Sequence, residues 1–275
     1  MSHSLDDLLH LMKRLRDPET GCPWDVAQTS ADIVNYSIEE VYELADAIEN
    51  HGTEEIRAEL GDLLFQVIFL SRIAEERSEF GFGDVVSGLI EKLVQRHPHV
   101  FTDGDLYGSP RQGDVRSDEV NRSWEKIKQQ ERQSRQETGL FADVPLALPA
   151  LRRAAKLQKR AVPLGLDWSC SIDIVDKLKE ELDELERALE YERSGSGNVE
   201  TVAEEVGDLL FSCVNIARKQ GIDAEQALRK SSDKFVQRVL LVERMIAEQG
   251  ASGETLSEQE IDQLWVRAKN ELAPS

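Results

Sequence analysis

At 275 residues, 40% of them hydrophobic, the chain is long enough for one large or two ordinary domains, each with its own core. Acidic residues outnumber basic ones by 53 to 33, and the net charge of -20 disfavours nonspecific binding to nucleic acid or to an anionic membrane while favouring cations. Three cysteines, Cys22, Cys170 and Cys213, without C-x-x-C spacing, argue against a disulfide framework or a thiolate zinc site.

Apolar residues at three- and four-residue spacing run throughout and no alternating strand pattern occurs, so the chain reads as all-α. The first predicted helix, 4–16, lies in MSHSLDDLLHLMKRLRD, an amphipathic, acid-containing stretch without the apolar centre of a signal peptide. With no later run of about 18 apolar residues, the protein is expected to be cytoplasmic and off the membrane. Helices over 30–50 and 54–78 follow, split by the HGT break at 51–53, and another is predicted over 83–96. A Gly- and Asp-rich loop, TDGDLYGSPRQGD at 102–114, leads to a helix over 117–136. ETGLFADVPLALP at 137–149 then interrupts the pattern with Gly and two prolines. It divides the chain into a first domain, 1–137, a linker, 138–150, and a second domain, 151–275. Helices of the second half are predicted over 147–160, 171–192, 199–219, 224–249 and 257–272, with SGSGN at 194–198 breaking the middle pair.

The halves match in their polar residues. Glu39, Glu40 and Glu43 recur as Glu180, Glu181 and Glu184 at an offset of 141, and Glu59 and Asp62 recur as Glu205 and Asp208 at 146. Lys92 and Arg96 recur as Lys234 and Arg238 at 142, and Trp124 and Lys128 as Trp265 and Lys269 at 141. Four clusters in one order indicate an internal duplication, hence two related helical bundles. The shift between offsets fits an extra turn of Ser/Gly loop.

Residues three or four apart share a helix face with Cβ atoms roughly 5–6 Å apart, so Glu40 with Glu43, or Glu59 with Asp62, form carboxylate pairs. Two such pairs on facing helices repel unless a cation compensates, and Mg²⁺ favours oxygen ligands. Gly61 and Gly207, between the paired acids, are expected to let the facing helix approach closely, and the Leu-Leu-Phe after each Asp to pack the helix into its bundle. Lys and Arg one turn apart suit a phosphate whose other oxygens face the metal, and Trp265 is available to a base. Each residue has a plainer use: acids as a solvated face, cations as surface ion-pair partners, tryptophans as core packing. Repetition in both halves favours the metal reading for the acids. His97 and His99 have no repeated counterpart and are not expected to ligate metal, and no G-x-x-x-x-G-K-[ST] loop is present.

These motifs resemble the MazG family within the all-α NTP pyrophosphatase group. Its E-E-x-x-E and E-x-x-D signature is matched by EEVYE at 39–43 with ELGD at 59–62, and by EELDE at 180–184 with EVGD at 205–208. GCPWD at 21–25, RHPHVF at 96–101, WEKIK at 124–128 and KFVQR at 234–238 are similar to further landmarks. The resemblance implies two tandem bundles and Mg²⁺-dependent hydrolysis of nucleoside triphosphates to monophosphate and pyrophosphate, by water attack at the α-phosphorus. It implies a homodimer, and Glu181, Glu184, Glu205 and Asp208 as metal ligands, with Glu180 a ligand or water-orienting base. Lys177, Lys234, Arg238 and Lys269 would bind phosphates, and Trp265 the nucleoside. The first half would repeat this with Glu39, Glu40, Glu43, Glu59, Asp62, Lys92, Arg96, Trp124 and Lys128. Tyr36 stands where the second copy has Lys177, so the second half is expected to be the principal catalytic site. Alternatives are a noncatalytic acidic helical adaptor and a narrower dUTP or phosphoribosyl-nucleotide hydrolase.

Overall fold

A computed structural model describes residues 3–108, 127, 139–249 and 256–273. Among these residues every regular element is helical. The chain divides into two compact units between Gln130 and Glu131.

The first unit contains α1 (Leu5–Leu15), α2 (Pro23–Ala27), α3 (Ser30–Asn50), α4 (Thr53–Glu76) and α5 (Phe82–Arg96), then a 3-10 turn at Thr102–Gly104. Ser4 and Thr29 start α1 and α3 through reciprocal bonds with Asp7 and Asp32, which satisfy the free amides of the first turn. The short α2 was not among the predicted helices. Five residues with Pro at the start show no periodicity, and its place is set by tertiary contacts. Gly21, just before it, is obligatory, because an added Cβ would run into the backbone of Leu15 and Asp17. The predicted helix over 117–136 lies outside the described residues.

Met12, Ile33, Ile68, Phe69 and Ile73 form the first core, with Tyr36, Phe65 and Phe82 packed against it. Buried Arg16 ties this core together. It donates to Glu76 from Nε at 3.0 Å and Nη2 at 2.7 Å and to the Asp25 carbonyl at 2.5 Å, with its guanidinium 5.0 Å from the Phe69 ring centre. Burial pushes the Glu76 carboxyl up, but bonds from Arg16 and Arg72 outweigh it and hold the group below its usual range. Its stabilisation is therefore present above the unfolded carboxyl range and lost as pH falls through the lowered native value. Arg16→Met is expected to cost on the order of 3 kcal/mol, the low end for an ion pair that loses one buried partner. Denaturant melts would register that loss at neutral pH, and the gap between wild type and variant would narrow on acidification.

The second unit contains α6 (Ala150–Ala161), a 3-10 turn at Val162–Leu164, α7 (Ser171–Arg193), α8 (Val199–Lys219), α9 (Ala224–Glu248) and α10 (Glu258–Glu271). Prediction began α6 at 147; Pro149 instead occupies the N-cap. Asn198, Asp223 and Ser257 cap the last three helices. The Gln158 side-chain amide bonds the Phe211 carbonyl at 2.8 Å, fastening α6 to α8. Phe211 itself stays 43% exposed, so the second Leu-Leu-Phe packs less completely than the first.

In both units the central motif is an antiparallel hairpin, α3 on α4 and α7 on α8. The offset shift now has its origin. Of the five extra residues in the second copy, two lengthen α7 and only three enlarge the turn, where Gly195 adopts φ +74° and a Cβ on Gly197 would meet the Glu192 amide at 2.9 Å.

Candidate metal centres

Each hairpin brings three glutamates together. In the first unit Glu40 and Glu43, one turn apart on α3, face Glu59 on α4; each offers a carboxylate oxygen within 4.8 Å of the other two. In the second, Glu181 and Glu184 on α7 face Glu205 on α8 within the same limit. The six residues are matched pairs under the repeat. Glu181 is the most buried, at 5% exposure. Glu39, Glu180, Asp62 and Asp208 lie exposed outside the triads.

The rim aspartates still act on the triads through charge. Burial pushes Glu40 above its usual carboxyl range; a bond from Gln66 opposes this, and repulsion by Asp62, Glu43 and Glu59 adds to the rise. Glu205 is raised by desolvation and then by Glu184, Asp208 and Glu181. Converging carboxylates that resist ionising together suit a cation. An oxygen-only donor set on rigid helices fits a hard divalent ion such as Mg²⁺.

Two neighbours of the triads escaped sequence reasoning. Gln66, 7% exposed on α4, donates from Nε2 to Glu40 Oε1 at 3.2 Å. A lone amide within LLFQVIFL was the available signal. Arg187 places Nη2 3.6 Å from Glu184 Oε1. Lys177 sits 2.8 Å from Glu181 Oε1 and 2.9 Å from Glu180 Oε1, and these bonds, Glu181 first, raise its ammonium well above the usual lysine range. Its counterpart Tyr36 packs on the core and lies 5.9 Å from the Trp24 ring.

The other predicted binding residues lie on other helices. Lys234 and Arg238 are on α9 and Lys269 on α10, a hairpin distinct from α7–α8, and among the described residues none has an ion pair to a triad. Trp265 is half-buried, its ring 5.6 Å from that of Phe235. Lys92 is exposed on α5, and Arg96 closes that helix half-buried. Trp124 and Lys128 lie outside the described residues.

The expected role of Gly61 and Gly207 is corrected. A Cβ on either would meet nothing within 4 Å, since both face outward. Gly61→Ala and Gly207→Ala are accordingly expected to stabilise their helices by roughly 0.5–1 kcal/mol each, seen as a higher melting temperature.

The profile described as the MazG nucleotide pyrophosphohydrolase domain matches twice, over residues 28–101 and 172–240, each match containing one triad. The "Nucleoside triphosphate pyrophosphohydrolase" of Escherichia coli K12 is 42% identical over 270 residues, covering 98% of both chains. The "Nucleoside triphosphate pyrophosphohydrolase/pyrophosphatase MazG" of Thermotoga maritima is 39% identical over 264 residues, 96% of this chain and 95% of its own. The "Uncharacterized protein YabN" of Bacillus subtilis is 38% identical over 267 residues, 97% of this chain and 52% of its own.

Proposed function

The chain belongs to the MazG nucleotide pyrophosphohydrolase family, and from that premise we propose that it hydrolyses nucleoside triphosphates to the monophosphate and pyrophosphate in the presence of Mg²⁺. The observation that carries this reading is the glutamate triad formed twice at matched positions. When bound, Mg²⁺ supplies Lewis acidity, activating water and neutralising charge on the phosphoryl group. Glu181, Glu184 and Glu205 would hold it, with Asp208 completing the set. Glu180, exposed beside Glu181, would take a proton from the attacking water at its carboxylate oxygens. Lys177, Lys234, Arg238 and Lys269 would bind phosphate oxygens, and Trp265 would contact the nucleoside.

The second unit is the principal site in this reading, because Lys177 supplies a cation where the first unit has Tyr36. In this reading the domains are 1–137 and 151–275 around a 138–150 linker. Exposed apolar residues such as Leu60 and Leu64 on α4, or Val239 and Leu240 on α9, support a homodimer. No helix among the described residues is long and apolar enough to cross a membrane. A cytoplasmic setting would supply the nucleotide substrates.

Turnover of a nucleoside triphosphate in ¹⁸O-labelled water tests the reaction. Label in the monophosphate, with pyrophosphate released, agrees with attack at the α-phosphorus. Label in orthophosphate, or no turnover of any triphosphate, contradicts it, the latter favouring the adaptor. A panel of bases that includes dUTP separates a broad from a narrow hydrolase.

A further inference from the structure

The two triads are alike in their glutamates and unlike in what already touches them. In the first unit the one polar side-chain partner of Glu40, Glu43 and Glu59 among the described residues is neutral, the Gln66 carboxamide. Gln66 is more than nine-tenths buried, and its Oε1, on the carboxamide that bonds Glu40, has no hydrogen-bond partner. A buried acceptor left unfilled is costly unless a donor arrives, and the waters that Mg²⁺ retains are donors. In the second unit cations already hold the glutamates: Lys177 on Glu181 at 2.8 Å and Arg187 on Glu184 at 3.6 Å. The repeat makes the contrast position-specific. Lys177 aligns with Tyr36, Arg187 with Asp46, and Gln66 with Ser212.

We propose that the two copies acquire their cation differently: the first binds a divalent ion unaided, with Gln66 as positioning residue, whereas the second binds it together with a nucleotide whose phosphates draw Lys177 and Arg187 off the glutamates. This rests on the reading that the triads hold metal and the second unit takes the nucleotide. The physical step is ion exchange. An ion entering the second triad displaces an ammonium and a guanidinium, and their release is unfavourable unless another anion receives them. A polyphosphate is such an anion, and Arg and Lys are its usual partners. The first triad requires no such exchange, so its three converging carboxylates attract a free ion from the start.

The test is Mn²⁺ titration of the full chain, followed by electron paramagnetic resonance, without nucleotide and then with a non-hydrolysable α,β-methylene triphosphate. Glu59→Gln disables the first triad and Glu205→Gln the second. Without nucleotide, Glu59→Gln is expected to weaken the tightest Mn²⁺ binding at least tenfold, while Glu205→Gln leaves it unchanged. Adding the analogue restores tight binding to Glu59→Gln. In that background Lys177→Met is expected to raise nucleotide-free affinity at least tenfold. Gln66→Leu weakens the first site at unchanged helix content, and Gln66→Glu restores it. Equal nucleotide-free affinities in the two copies, or no response to Lys177→Met, would overturn the proposal. Pyrophosphate release measured in parallel separates the cases: turnover with equal affinities sinks only this inference, whereas absent metal binding with absent turnover sinks the underlying reading too.

Discussion

Glu181→Gln is expected to lower pyrophosphate release by at least about a hundredfold, since losing even an outer-layer partner of a metal ligand costs roughly 10–100-fold. The substitution preserves shape at a position only 5% exposed. It also removes one of the charges that repel Glu205, and Lys177 keeps its bond to Glu180 at 2.9 Å. The metal-free variant should thus melt no lower than wild type. Activity lost without a fall in melting temperature is the signature of a chemical role. Wild-type turnover by the folded variant would refute the assignment of the second triad as the principal site. Glu40→Gln, the matched change in the first unit, is expected to leave most of the activity.

Saturating Mg²⁺ is expected to stabilise the protein by about 2.7 kcal/mol at a hundred times its dissociation constant, provided the unfolded chain does not bind it. For units of this size that corresponds to a rise in melting temperature on the order of 5–15 °C. The sign of its pH dependence follows from Glu40, in the triad that binds an ion without nucleotide, and Glu205 in the second triad shifts in the same direction. Both carboxyls are raised above the ordinary 4.5 in the fold. An ionised group with a raised native pKa costs stability, so for these groups the metal-free protein gains stability as pH falls through that raised value. Cation binding needs the ionised form and runs the other way. The Mg²⁺ increment should be full near neutrality and shrink on acidification, beginning above pH 4.5. Calorimetric scans with Mg²⁺ or EDTA at several pH values would measure it, and an increment that grows on acidification would exclude the carboxylates as its source.

Helical hairpins and carboxylate pairs were readable from the chain because both depend on neighbours three or four residues away. A break such as HGT then dictates that the next helix folds back. The same local rule fails at Pro23–Ala27, where five residues carry no period and burial of Asp25 beside Arg16 sets the structure. It also fails for Gly61. Flanked by Glu59 and Asp62, it suggested a close helix contact, yet the α3–α4 rotation turns it outward.

Sequence alone determined that acids at 39–43 and 59–62, and again at 180–184 and 205–208, lie along paired helices, since the helical repeat places each pair on one face. It did not determine which carboxylates converge. Glu59 meets Glu40 and Glu43 while Asp62, one turn on, stays at the exposed rim, because that choice depends on how one helix is rotated against the other. Tertiary packing also decided who answers the buried charge: Gln66 across the first hairpin, Lys177 along the second. Rotation and depth of burial come from the whole core on which each hairpin rests, and no spacing within a single helix encodes them.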